Sequence, residues 1–109
     1  MKLNIYDHKK IVKTYEAETY DLMFGTLEDV AAVVKVDELK SGSDVEIIKL
    51  AVQAVLGSMD TVKELMHDIF DGITDEELRH TTISEMAVVL ADVVKYTIKK
   101  LGELKIKNV

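Results

Sequence analysis

Several features are missing from this sequence of 109 residues. It contains no cysteine, which excludes disulfides, thiol catalysis and cysteine-based zinc sites. No apolar run reaches the roughly 18 residues of a membrane-spanning helix, so no membrane partner is expected. The first ten residues lack the apolar stretch of a secretory signal. We therefore expect a soluble, cytoplasmic protein, and the apolar content of 48% excludes an intrinsically disordered chain.

Positive charge is scarce in the body of the chain, although the net charge is only −6. Residues 1–13 contain four lysines and one Asp, and residues 99–109 contain four lysines and one Glu, so each end carries +3. Residues 14–98 must therefore carry −12. Because nucleic-acid binding needs clustered Lys and Arg, no nucleic-acid partner is expected. Solubility is the simpler interpretation of the acidic body, and steering of a basic partner is the alternative.

The N-terminal sequence predicts a β-hairpin over residues 2–17. Two β-prone runs, at about 2–6 and 10–17, flank the polar sequence Asp-His-Lys-Lys, which is typical of a turn. A two-stranded hairpin alone is marginal in water. We therefore expect it to pack against the helices or to pair with a partner's sheet.

The apolar periodicity of the remaining chain predicts helices at 27–40, 44–70, 75–80 and 83–101. Apolar side chains recur every three or four positions over 44–70, which indicates one long amphipathic helix. The pattern keeps its phase across Gly57 and Ser58, so we expect a continuous helix, straight or bent. A break into two helices is the alternative.

Local signals mark the helix ends. Thr26 is the expected N-cap of the first helix, whose last residues, 36–40, predict a looser turn. Ser43, Thr74 and Thr82 each precede a Glu by three residues, which is the capping-box pattern. These signals agree with the apolar periodicity, which favours one well-defined fold.

The predicted fold class is mainly α (α+β), with a single domain over residues 1–109. A short N-terminal β-hairpin is followed by about four helices, which pack around the long central helix 44–70. Gly102 should end the last helix, leaving 103–109 as a loose tail. Three methionines on the inner faces of these helices are expected in the core: Met59, Met66 and Met86.

No catalytic, cofactor-binding or metal-binding site is predicted. The sequence has no nucleophile triad order, nucleotide-binding glycine loop or Walker motif. Glu64, His67 and Asp71 lie at helical spacing and could share a metal ion. A solvated helix face near a helix C-terminus is the simpler interpretation of these three side chains.

The most apolar stretch outside the predicted helices is a candidate partner-binding site. It contributes Tyr20, Leu22, Met23 and Phe24. Methionine and aromatic side chains suit adaptable binding surfaces. For Met23, a buried link between elements and an exposed docking patch both stay open.

Four segments carry a resemblance to a known family: YDLMFGTLED at 20–29, DVEIIK at 44–49, DIFDGITDEEL at 68–78 and VVKYTI at 93–98. Together with the charged N-terminal hairpin, they make the chain resemble the tail assembly chaperones of long-tailed phages and prophages of Gram-positive bacteria. The resemblance covers about residues 2–101 and concerns overall character, because it includes no catalytic signature.

The resemblance implies a mainly helical protein that is not an enzyme and needs no cofactor. Such chaperones act in the host cytoplasm, where they coat the tape-measure protein and contact the tail tube protein. They are absent from the mature virion, and self-association is compatible with this role. The competing hypothesis is a small α-helical dimeric adaptor or regulator of phage or plasmid origin.

Overall fold

A computed structural model describes residues 1–107 of the chain, with the side chains at 37 and 101–107 excepted. Over residues 1–107 the protein has an N-terminal antiparallel hairpin and five α-helices, so the predicted mainly α (α+β) class is confirmed. The elements in chain order are β1 Lys2–Asp7, β2 Lys10–Glu16, α1 Phe24–Val34, α2 Asp44–Gly57, α3 Met59–Ile69, α4 Asp75–Leu78 and α5 Ile83–Lys107. Short 3-10 turns at Thr19–Asp21 and Val36–Glu38 flank α1.

The hairpin forms where the sequence predicts it. His8 and Lys9 have φ angles of 49° and 74°, which is the left-handed geometry of a tight two-residue hairpin turn. Leu3 pairs with Tyr15, and the register becomes irregular between Ile5 and Tyr6. One face of β1 is buried through Leu3 and Ile5, whereas β2 is largely exposed. The hairpin therefore depends on the helices beneath it.

The core is organised around α5. This helix contacts α1, α2 and β1. Over residues 83–100, its buried apolar side chains are Ala87, Val89, Leu90, Ala91, Val93 and Val94. A helix that is apolar around most of its circumference is covered on more than one side. The expectation that helix 44–70 is the centre of the fold is therefore wrong.

The predicted continuous helix 44–70 is also wrong, because the chain breaks at Ser58 into α2 and α3. Ser58 has φ −142° and ψ 51°, outside helical geometry. Gly57 precedes it, and glycine is the weakest helix former apart from proline. The hydrogen bonds almost continue across the break, since Ser58 N–H donates to Ala54 O at 2.9 Å and Val62 N–H donates to Ser58 O at 2.9 Å. Such a break preserves the phase of the apolar pattern, so periodicity alone does not reveal it.

Two further helix ends differ from their predictions. The first helix begins at Phe24 rather than 27, because Thr26 packs on its buried side with Val30 and Val34 instead of capping it. The last helix continues through Gly102 to Lys107. Glycine costs only about 1 kcal/mol within a helix, and the Leu, Lys and Glu residues that follow favour helix. The predicted tail 103–109 is thus helical to 107, and 108–109 lie outside the described residues.

The predicted helix 27–40 ends at Val34, because Lys35 adopts left-handed geometry with a φ of 59°. The other short elements agree with their predictions. The 3-10 turn Val36–Glu38 replaces the looser end of the first helix, and α4 covers most of 75–80. Ser43, Thr74 and Thr82 each accept a hydrogen bond from the backbone N–H three residues later. Within residues 1–107, no helix combines the length and the apolar character needed to cross a bilayer.

Candidate functional site

Three large apolar side chains are exposed close together in the chain, at and just before the start of α1. Tyr20 is 72% exposed, and Met23 and Phe24 are each 74% exposed. All three lie within five consecutive residues. We call Tyr20, Met23 and Phe24 the apolar patch. Single exposed apolar residues are ordinary on a protein surface. Several that lie close together are more typical of an interaction site.

The local backbone explains why the patch faces solvent. The 3-10 turn Thr19–Asp21 closes with Leu22 N–H donating to Thr19 O at 3.2 Å. Leu22 then turns inward, is half-buried and packs against the core. Met23 follows in an extended conformation, with φ −73° and ψ 149°, as the N-cap of α1. Anchoring by Leu22 thus directs Met23 and Phe24 outward.

The structure separates the four predicted partner-binding residues. Tyr20, Met23 and Phe24 share the surface, while Leu22 supports it from below. Of the two interpretations of Met23, the buried link is wrong, because its side chain is 74% exposed. The exposure that a docking patch requires is present.

Acidic residues lie close to the apolar patch along the chain. From residue 18 to 34 the chain contains four carboxylates and no Lys, Arg or His. We call these residues the acidic rim: Glu18, Asp21, Glu28 and Asp29. All four are exposed, and none of them forms a salt bridge to any residue that the structure describes. The sequence prediction described only the acidity of residues 14–98 and did not single out these four carboxylates. The absence of Lys and Arg over 18–34 is the signal that could have indicated them.

A second apolar surface lies between α3 and the start of α5. It is a groove of about 110 Å³, whose lining residues are Val55, Met59, Val62, Lys63, Ile83 and Met86. Met59 is 54% exposed and Ile83 is 45% exposed. The prediction that Met59 lies in the core is wrong, because the break at Ser58 redirects the first turn of α3. Met66 is fully buried, and Met86 packs partly buried against the core.

A polar cluster joins the hairpin to α4. Glu77 Oε1 accepts hydrogen bonds from the Tyr15 hydroxyl at 2.6 Å and from the Thr74 N–H at 3.1 Å, while Lys13 Nζ lies 3.4 Å from Oε2. The hydrogen bond from Tyr15 is the main cause that lowers the pKa of Glu77 below its usual range. Hydrogen bonds to a carboxylate stabilise its charged form.

A second capping residue also holds the hairpin. Glu85 accepts from the Thr82 hydroxyl at 3.0 Å and from the Asn4 N–H at 3.2 Å, while Tyr6 N–H donates to His80 O at 2.8 Å. These bonds satisfy part of the open edge of β1. Sequence reasoning recognised Glu77 and Glu85 only as capping-box residues.

The possible metal ligands on α3 have a different geometry from the one considered in the sequence. His67 Nε2 lies 2.6 Å from Asp75 Oδ1 on α4, and this contact with His67 is the main cause that lowers the pKa of Asp75. His80 pairs with Glu76 at 3.3 Å, as the spacing of four residues predicts. In the part of the chain that the structure describes, no three His or carboxylate side chains are grouped so that they could hold a metal ion.

In comparisons with known proteins, no family model, curated protein or solved structure matches the chain.

Proposed function

We propose that this chain is a tail assembly chaperone, which binds the tape-measure protein and the tail tube protein while a phage tail is built. It acts by covering apolar segments, without catalysis, in the host cytoplasm, and it leaves before the virion is complete. The observation that carries the proposal is the apolar patch, which lies where the sequence resembles the chaperone family.

The composition of the patch favours binding to a protein. Full burial of a large apolar side chain contributes about 1.5–3 kcal/mol, and aromatic residues are enriched among the residues that dominate interface energies. Met23 adds an unbranched, polarizable side chain that adapts to differently shaped partners. A long tape-measure protein presents many similar apolar segments, so a small adaptable patch suits a chaperone that binds in many copies.

Co-expression with the tape-measure protein of the same genome tests the proposal. We expect the wild-type chain to keep the tape-measure protein soluble and to co-purify with it in several copies, measured by size-exclusion chromatography with light scattering. A patch variant, Met23→Ser with Phe24→Ala, should lose this effect. The tail tube protein, co-expressed in the same way, tests the second partner.

The control removes two exposed apolar side chains elsewhere. Ile11 and Val12 on β2 are 55% and 61% exposed, and Ile11→Thr with Val12→Thr keeps β-branched residues in the strand. This variant should solubilise the tape-measure protein as well as wild type does. If the tape-measure protein aggregates equally with wild type and with the patch variant, the chaperone proposal is wrong.

The groove between α3 and α5 favours a second candidate function, a dimeric adaptor. Met59 and Ile83 expose apolar surface there, and a second copy could cover it. Light scattering of the free protein tests this possibility. The adaptor is favoured by two results together. The free wild-type protein forms a discrete dimer that the double variant Met59→Ser with Ile83→Thr dissociates, and the wild-type protein does not keep the tape-measure protein soluble.

A further inference from the structure

We infer that the partner segment that occupies the apolar patch is a basic amphipathic one, with Lys or Arg placed about one helical turn from its apolar residues. The inference rests on the proposed function and specifies the chemistry of its partner. It follows from the position of the acidic rim relative to the patch.

Two charges of the rim lie close to the apolar side chains along the chain, and one of them shares a helix face with Phe24. Asp21 directly follows Tyr20 and lies two residues before Met23. Glu28 follows Phe24 by four residues on α1, so the two side chains lie on one face, about 5–6 Å apart at their Cβ atoms. An apolar residue bound on Phe24 therefore brings its neighbours one turn away close to Glu28.

The rim carboxylates are available to a partner. No described residue forms a salt bridge with Asp21 or Glu28, and no Lys, Arg or His occurs between 18 and 34. By contrast, the nearby Glu16 is paired with Lys2 at 3.4 Å. Unpaired charge around an apolar centre gives specificity and speeds association with a partner of opposite sign.

The same rim disfavours two other occupants. A second copy that docked through the same patch would bring two acidic rims together, and like charges at an interface are repulsive. A membrane surface with anionic lipids would be repelled for the same reason. Complementary charge therefore selects a basic protein segment.

A display library tests the inference without knowledge of the natural partner. Its members are 20-residue amphipathic helices with a constant apolar stripe, in which the polar positions vary among Lys, Glu, Gln and Ser. Selection on the wild-type chain, with counter-selection on the patch variant, isolates sequences that need the patch. We expect the enriched sequences to be rich in Lys at positions three or four from an apolar residue.

The affinity of the most enriched peptide then measures the rim directly. Asp21→Asn with Glu28→Gln should raise the Kd about three- to tenfold, as expected for two surface charge pairs. The matched control, Glu64→Gln with Asp68→Asn on α3, changes the net charge equally and should leave the Kd within about twofold.

The outcomes separate this inference from the proposed function. If the enriched sequences need the patch but show no preference for Lys, the inference is wrong and the proposed function stands. The same holds if the rim variant and the control variant change the Kd equally. No enrichment over the patch variant overturns the proposed function and the inference with it. The inference also fails if the patch variant dissociates an oligomer of the free chain, because a second copy would then occupy the patch. It fails likewise if the wild-type chain binds neutral phosphatidylcholine vesicles and the patch variant does not, because a lipid would then occupy the patch.

Discussion

Met23 is the N-cap of α1, a position where a different residue type would stabilise the helix. N-caps favour Ser, Thr, Asp and Asn, whose side chains accept a hydrogen bond from the first turn. Met23 has the extended backbone of an N-cap but supplies no side-chain bond, and its side chain is 74% exposed. It stabilises neither the cap nor the core, so the stability of the fold does not explain a methionine at this position.

Met23→Ser should therefore raise the free energy of unfolding by about 0.5–2 kcal/mol while it weakens binding to the partner. Urea denaturation followed by circular dichroism measures the stability. Met23→Ala, which removes the thioether without supplying a cap, is the control and should show no such gain. A loss of more than about 1 kcal/mol in Met23→Ser would instead indicate that Met23 packs against the core.

Glu77 makes stability depend on pH at the junction between the hairpin and α4. Its pKa is lower in the folded protein than the usual value, chiefly because Tyr15 donates a hydrogen bond to it. A carboxyl with a depressed folded-state pKa contributes stability above its unfolded pKa, and that contribution is lost as the pH falls through the folded pKa.

Glu77→Gln should consequently destabilise the protein more at pH 7 than at about pH 3, because the stability that the carboxylate contributes is complete above its unfolded pKa of about 4.3 and declines as the pH falls towards its lower folded pKa. Urea denaturation at several pH values measures the difference between the two proteins. Glu64→Gln, which removes an exposed carboxylate on α3, is the control for the change in net charge. A Glu77→Gln difference that stays constant from pH 7 to pH 3 would contradict this origin of the stability.

At the scale of elements, the join between α2 and α3 shows how a helix break can be tolerated. Gly57 ends α2, and an added Cβ at that position would meet no atom within 4 Å. No close approach of another backbone therefore requires this glycine. Gly72, in the turn after α3, has a φ of +83°, a conformation that residues with a Cβ rarely adopt.

The two glycines should respond to alanine with opposite signs. Gly57→Ala should stabilise the protein by about 0.5–1 kcal/mol, and Gly72→Ala should destabilise it by about 1–2 kcal/mol. Thermal unfolding measures both, since 1 kcal/mol shifts the Tm of a domain of this size by about 4–8 °C. A loss of stability in Gly57→Ala would show that the break needs the flexibility of glycine.

The hairpin is the element that depends most on its surroundings. A two-stranded sheet is marginal by itself, and here Leu3 and Ile5 bury one face of β1. Its other support is polar, through Glu77 and Glu85 from α4 and α5. The same glutamates help to cap these two helices, so the hairpin and the helix starts stabilise one another.

At the scale of the whole molecule, the charge distribution should give salt opposite effects on two kinds of association. Screening weakens the attraction between the acidic rim and a basic partner, and it also weakens the repulsion between copies of a chain with a net charge of −6. Both effects have one electrostatic origin.

Raising sodium chloride from about 50 mM to about 500 mM shortens the Debye length roughly threefold. The Kd for a basic peptide at the patch should rise over this range, and the second virial coefficient of the free protein should fall. Calorimetry and static light scattering measure the two quantities. The rim variant Asp21→Asn with Glu28→Gln should show a weaker salt dependence of the Kd, and a Kd that falls with added salt would contradict the electrostatic account.

The sequence by itself determined those features that depend on neighbours within about four residues. The capping hydrogen bonds at Ser43, Thr74 and Thr82 and the tight turn at His8 and Lys9 belong to this class. Their geometry is local, so residue type and spacing predict it. The mainly α class follows in the same way from the period of the apolar residues.

Only the tertiary structure decided which of these residues face solvent and which residues meet across the fold. Leu22 and Met23 are adjacent in the sequence, yet packing against the core turns one inward and leaves the other exposed. Tyr15 and Glu77 are 62 positions apart, so no local pattern could pair them. The break at Ser58 and the central place of α5 belong here too, because the free energy of such arrangements depends on burial against distant elements, which local sequence does not encode.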